Sequence, residues 1–198
     1  MPSPIAHSAV GYALSRFFPD RSHRTTKIFS LISPIALYSV IISNLPDLDF
    51  LPEVVTQTKF HRGPTHSIAA GLVLSVLFSA LAILLFKRRD RTPSIKPKLS
   101  YKTLFVFTLG VYLIHLLLDS ITAGGPGMQL LWPFSTDYFR APFSLFFAVR
   151  HSRGLWDASH LLFISTELLY AVCGLFLLNR FISKPNNQQP SQDSSQTF

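Results

Sequence analysis

Long apolar runs alternate with short polar segments along this chain. Four runs, at 28–45, 68–86, 103–120 and 161–179, come close to the roughly 20 residues that a helix needs to cross the hydrocarbon core of a bilayer. A fifth, at 4–18, is shorter and amphipathic. At about 1.5 Å per residue it reaches only about 22 Å, so it either crosses a thinned region, enters partway or lies at the interface. From Lys184 the pattern gives way to KPNNQQPSQDSSQTF, too polar to bury a core. The pattern predicts an all-α integral membrane helical bundle of about five transmembrane or partly inserted helices over residues 1–183, followed by a disordered polar tail over 184–198. No internal repeat is visible.

Composition sharpens this picture without changing it. Of the 198 residues 48% are hydrophobic and 14% charged, the balance of an integral membrane protein with one domain. The first residues lack a basic leader and a small-residue cleavage site, so the amino terminus is expected to be retained. Cys173, the single cysteine, lies inside an apolar run and excludes both an intrachain disulfide and a cysteine-rich metal site.

The formal net charge of +8 would suit nucleic acid, but its distribution argues otherwise. Arg16, Arg21, Arg24 and Lys27 precede the first strong run. Lys87, Arg88, Arg89, Arg91, Lys96, Lys98 and Lys102 separate the second from the third, and Arg180 and Lys184 follow the last. The positive-inside rule places these three segments in the cytoplasm. Lys59, Arg62, Arg140, Arg150 and Arg153 fall in the two remaining loops, which are therefore expected outside. Topology accounts for the charge, and no nucleic-acid partner is expected.

The residues able to bind metal or transfer protons are grouped. They are His7, Asp47 and Asp49 in NLPDLDF, His61, Arg62 and His66 in HRGPTHS, and His115 and Asp119 in HLLLDS. If the segment 4–18 crosses, all of them collect at the outer membrane face. His115 and Asp119, at i and i+4, project from one helix face. Pro64 suits a helix start, which predicts His66 in the first turn of the second strong helix. An extended stretch after Pro46 would aim Asp47 and Asp49 the same way.

Ionisable groups at membrane depth are expensive and usually face one another or a water-filled cavity. Seven candidate ligands, His7, Asp47, Asp49, His61, His66, His115 and Asp119, exceed the needs of one tetrahedral ion, so one or two ions or additional supporting groups are expected. Mixed imidazole and carboxylate donors suit a divalent metal, zinc first and manganese second. Each motif has an ordinary reading as well. An aspartate pair after proline forms turns, a His-Asp pair one turn apart can satisfy itself, and Arg62 can snorkel to headgroups. Joint placement on one face favours the metal. His23 reads as solvated, His151 has no assigned role, and His160 reads as a helix-end partner of Asp157.

These motifs resemble the membrane-bound metal-dependent hydrolase family, bacterial inner-membrane proteins also described as LexA-binding hydrolases. The resemblance rests on HSAVG at 7–11, PDLD at 46–49, HRGPTHS at 61–67, HLLLDS at 115–120 and LLWPFS at 130–135 after ITAGGPG, and spans residues 7–143. It implies a helical protein of the bacterial-type inner membrane with a hydrolytic metal site, and supplies no substrate. TDYFR at 136–140 departs from the basic character expected after WPFS, which leaves any substrate contact there open. The LexA element has no identifiable residue in this chain.

In a hydrolase, Asp49 or His61 would act as general base or acid and Arg62 would hold an anionic group. The aromatic residues Trp132, Phe134, Tyr138, Phe139 and Phe143 form an interfacial belt that can also serve as a lid, which suggests membrane lipids as partners and a lipid-like ester or phosphoester as substrate. Two alternatives stay open: a metal or proton transporter, whose sites belong near the midplane, and a non-catalytic protein with a structural polar cluster.

Overall fold

The computed structural model describes residues 3–18, 33–56, 62–89, 100–146 and 158–182. These contain six α-helices: α1 (Pro4–Ser15), α2 (Pro34–Asn44), α3 (Phe50–Thr56), α4 (Ile68–Arg89), α5 (Tyr101–Ser120) and α6 (Ala158–Ile182). Two 3-10 turns, Pro46–Asp49 and Pro64–His66, lead into α3 and α4. Among the described residues β-pairing is limited to isolated bridges.

Ile68–Leu85 within α4 and the whole of Tyr101–Ser120 are long and apolar enough to cross a membrane. Most of the α4 surface is apolar and exposed, with Leu72, Val73, Val76, Leu77 and Leu81 uncovered, as expected of a helix whose solvent is lipid. The described part of the first strong run is α2. Its helix starts at Pro34, which lacks a backbone N–H and pushes Ser33 into an extended conformation (ψ 144°), where its Oγ accepts from the Ala36 N–H at 3.1 Å. Eleven residues remain in α2, about 16 Å of helix. Residues 28–32, His23, His61, His151 and the tail from Lys184 lie outside the described residues.

Close approach joins α1 to α2. Ser39 Oγ donates to the Gly11 carbonyl at 2.6 Å, and a Cβ on Gly11 would lie 2.9 Å from the Ser39 carbonyl oxygen and closer still to Ser43 Oγ. At the other flank of α1, the Ser3 backbone N–H and hydroxyl both donate to the carboxylate of Glu167 on α6, itself 1% exposed. Tyr38, Thr108 and Ser79 join α2, α5 and α4 through hydroxyl bonds of 2.6 and 3.1 Å, the polar ties that hold helices together where lipid offers no hydrophobic driving force.

One end of this assembly carries the polar residues. It gathers the start of α1, the end of α2, the approach to α4 and the end of α5, so consecutive long helices run in opposite directions. Residues 121–146 cover that end. Met128, fully buried on Tyr112 and Leu116, pairs with Phe139, while the Leu130 carbonyl accepts from the Ile68 N–H at 3.0 Å and the Gln129 N–H donates to the Arg62 carbonyl at 3.1 Å. Gly127, at φ +107°, makes the pairing possible, because a Cβ there would run into the Phe139 carbonyl. Phe134, Tyr138, Phe139 and Phe143 face outward from this cover.

Candidate metal centre

His115 and Asp119 lie one turn apart on α5, each 1% exposed. The Ser43 carbonyl at the end of α2 stands 2.8 Å from His115 Nδ1. A carbonyl only accepts, so Nδ1 carries the proton and Nε2 presents its lone pair to the interior. A ring held in this way is prepared for ligation.

His66 occupies the middle of the cluster. It lies in the 3-10 turn and not in α4, which starts at Ile68 after Ser67, whose Oγ accepts from the Ala70 N–H at 3.0 Å. Two carboxylates take opposite edges of its ring: Asp49 Oδ2 stands 3.1 Å from Nδ1 and Asp47 Oδ1 3.4 Å from Nε2. The extended geometry expected for Asp47 and Asp49 is not found. The 3-10 turn Pro46–Asp49 rotates successive side chains by about 120°, and this separates the two carboxylates around one imidazole.

Asp49 Oδ2 also accepts from the Arg62 N–H at 3.0 Å and from Thr65 Oγ1 at 2.6 Å. These contacts hold Asp49 against the Nδ1 edge of His66 and bring Thr65 beside it. Nothing in the sequence marks Thr65 except its place inside HRGPTHS. Arg62 adopts φ +63°, a left-handed conformation unusual for a residue with a Cβ. It turns the guanidinium toward Asp119, whose Oδ2 lies 3.3 Å from Nε.

One ligand atom from each of Asp47, His66, His115 and Asp119 lies within 4.8 Å of all the others, and all four residues are buried. His66 Nε2 stands 3.4 Å from each of Asp47 Oδ1, Asp119 Oδ2 and His115 Nε2. Bonds of about 2.0–2.1 Å to a tetrahedral ion imply ligand–ligand edges of about 3.3 Å, so these separations suit a shared cation. Both carboxylate oxygens of Asp47 and of Asp119 are buried without a hydrogen bond among the described residues. Asp119 Oδ2 is ion-paired with Arg62 at 3.3 Å, and buried carboxylate oxygens left short of hydrogen bonds are rare unless an ion or water satisfies them. Two imidazoles with two carboxylates fit zinc or manganese.

His7 joins from α1. It is fully buried, stacks on His115 with centroids 4.0 Å apart, and brings Nε2 to 3.4 Å from Asp119 Oδ1 and 3.8 Å from Asp47 Oδ2. Six of the seven expected ligands, together with Arg62, therefore converge, and His61 falls outside the described residues.

Burial by itself disfavours a charged His66, but Asp119, Asp47 and Asp49 outweigh it and raise the pKa from 6.5 to about 10. In metal-free protein the resulting stabilisation is fully present below about pH 6.5 and disappears as the pH climbs through about 10. The unfolding midpoint of chelator-treated protein should fall across that interval. A flat profile would show that His66 is not held as a cation.

The family model of the YdjM inner membrane proteins matches residues 1–185. Over 150 residues the chain is 31% identical to inner membrane protein YbcI of Escherichia coli (strain K12), an alignment that covers 73% of this chain and 75% of that protein. No solved structure matches the chain.

Proposed function

This chain belongs to the YdjM inner membrane protein family, and from that premise we propose that it is a membrane-embedded metal-dependent hydrolase acting on a lipid or lipid-linked substrate. The observation that carries this reading is the buried quartet of Asp47, His66, His115 and Asp119, with three separations of 3.4 Å about His66 Nε2 and carboxylate oxygens that lack a hydrogen bond among the described residues. A divalent ion held there would acidify a water and polarise a carbonyl or phosphoryl oxygen.

The chain's own groups would do the rest. Asp49 holds the His66 ring in register through Nδ1, and Ser43 does the same for His115. His7, whose two ring nitrogens have no hydrogen-bond partner among the described residues, would take a proton from the attacking water and deliver it to the leaving-group oxygen. His61 keeps its assignment from sequence as a further acid, base or ligand. The aromatic cover over 121–146 admits an amphiphile from the side while excluding bulk water. A transporter fits less well, because the cluster sits at helix ends and not at the midplane.

In this reading α1, α2, α4, α5 and α6 form a five-helix bundle with the amino terminus and the site outside, as the lysine and arginine distribution requires. In a Cys173→Ser background, a cysteine at Phe134 should react with an impermeant maleimide from the outer side and one at Lys96 should not. The reverse pattern would invert the topology.

The function itself is tested by turnover of zinc- or manganese-loaded protein on a panel of lipid esters and phosphoesters. Asp49→Asn should lower turnover about 10- to 100-fold, the usual effect of losing a group that orients a ligand, with an unchanged helical spectrum. Wild-type protein that takes up neither ion, or that turns over no member of the panel when loaded, would overturn the reading.

A further inference from the structure

We propose that Arg62 and Arg140, both against Gly125, form a subsite for a phosphoryl group, so that the substrate of the neighbouring centre is a phosphate ester. The inference rests on the hydrolase reading for its catalytic meaning, but the subsite itself stands on separate observations.

Arg62 is 6% exposed, and its Nη2 is buried without an acceptor among the described residues. Its Nε is already committed to Asp119 at 3.3 Å. A buried guanidinium with one edge satisfied and the other bare loses hydrogen-bond energy unless an anion completes it. The backbone is held to this arrangement, for Arg62 stays left-handed while its N–H is fixed by Asp49 and its carbonyl by Gln129. A cation that merely snorkelled to headgroups would need none of these restraints.

Gly125 stands over Arg62 in a left-handed conformation of its own, φ +73°, and a Cβ built on it would lie only 3.7 Å from Arg62 Nη1. The Gly125 carbonyl also accepts from Arg140 Nη1 at 3.4 Å. Arg140 is placed by the Met128–Phe139 pairing, in which the backbone bonds are 2.8 and 3.0 Å long. Two arginines from distant segments thus approach one glycine that contributes no side chain.

The charges complete the argument. Asp47, Asp49 and Asp119 bring three negative charges, and a divalent ion with two arginines brings four positive ones. The balance suits a singly charged phosphodiester or a partly neutralised monoester. An uncharged carboxylic ester would give neither arginine a partner, whereas a phosphoryl group accepts several N–H bonds from planar guanidinium forks.

The test is binding of inorganic phosphate to the full-length protein in nonionic detergent, by calorimetry and by the shift in unfolding temperature, with and without zinc. Arg62→Asn removes the guanidinium but keeps a residue type that tolerates left-handed backbone. It should weaken phosphate binding about 10- to 100-fold, in zinc-free protein as in protein saturated with zinc. Arg140→Ala, at an exposed position, should weaken it less. If Arg62→Asn fails to fold, Arg62→Lys serves in its place: it keeps the charge, loses the fork, and should still bind phosphate more weakly than wild type.

Wild-type phosphate affinity in the folded arginine variants would overturn the proposal, as would no binding by wild type. Arginine-dependent binding by wild-type protein that takes up neither zinc nor manganese would sustain the subsite and sink the hydrolase reading. Nanodiscs of phosphatidylcholine with a minor fraction of phosphatidic acid separate the sources. Competition with inorganic phosphate would identify a lipid headgroup, and its absence a water-soluble ester, both within the proposal.

Discussion

Asp119→Ala should abolish metal binding and destabilise the protein in one step. Its carboxylate is completely buried and lies 3.4 Å from His7 Nε2, 3.4 Å from His66 Nε2 and 3.3 Å from Arg62 Nε. Truncation removes one of four candidate ligands and also leaves Arg62 buried without its partner. Removing one member of a buried ion pair costs about 3–5 kcal/mol, most of it the penalty of the charge left behind. Elemental analysis of detergent-purified protein should find near-stoichiometric zinc or manganese in wild type and background in the variant. Asp119→Asn separates the two effects. It keeps the shape of the side chain, so it should fold better than alanine, yet it removes the anion and should also lose the metal. Full metal content in either variant would remove Asp119 from the ligand set.

Gly11→Val should disrupt the centre from a distance. A Cβ on Gly11 meets both the Ser39 carbonyl and Ser43 Oγ, and backbone cannot yield as a flexible side chain does. Overpacking of this kind costs about 1–3 kcal/mol. The larger consequence is displacement of α1, which carries His7 away from its stack on His115 and from Asp119. The variant should melt at lower temperature and bind metal more weakly. Gly110→Ala is the control, since a Cβ there meets nothing within 4 Å and alanine favours helix over glycine. Equal melting temperatures for wild type and Gly11→Val would mean that α1 is not held to α2 as described.

Much of this molecule is legible in its sequence, and what is not has specific physical causes. The runs that form α4 and α5 stand out because an uninterrupted apolar stretch of about 20 residues matches the thickness of a bilayer and exceeds what most globular cores can bury. Hydropathy misplaces the start of α2 because it is blind to backbone donors: residues 28–33 are apolar enough to extend the run, but Pro34 begins the helix. The pair in PDLD reads as the alternation of a strand, where a tight turn forms. Glu167 passes as one acidic residue in an apolar run, although it receives the amino-terminal end of α1.

The sequence by itself determined the membrane character, the all-helical class and which histidines and aspartates were candidates for binding metal. Those properties follow from local composition and from the expense of placing charge in lipid, and they need no knowledge of which segments touch. Only the tertiary structure decided how the set divides. His66 lies between Asp49 and Asp47, His115 takes its tautomer from Ser43, His7 reaches the centre across the α1 and α2 crossing, and Arg62 points one nitrogen at no acceptor among the described residues. Each of these depends on distances of a few ångströms between residues tens of positions apart, set by how helices pack and turns rotate, and no single segment encodes them.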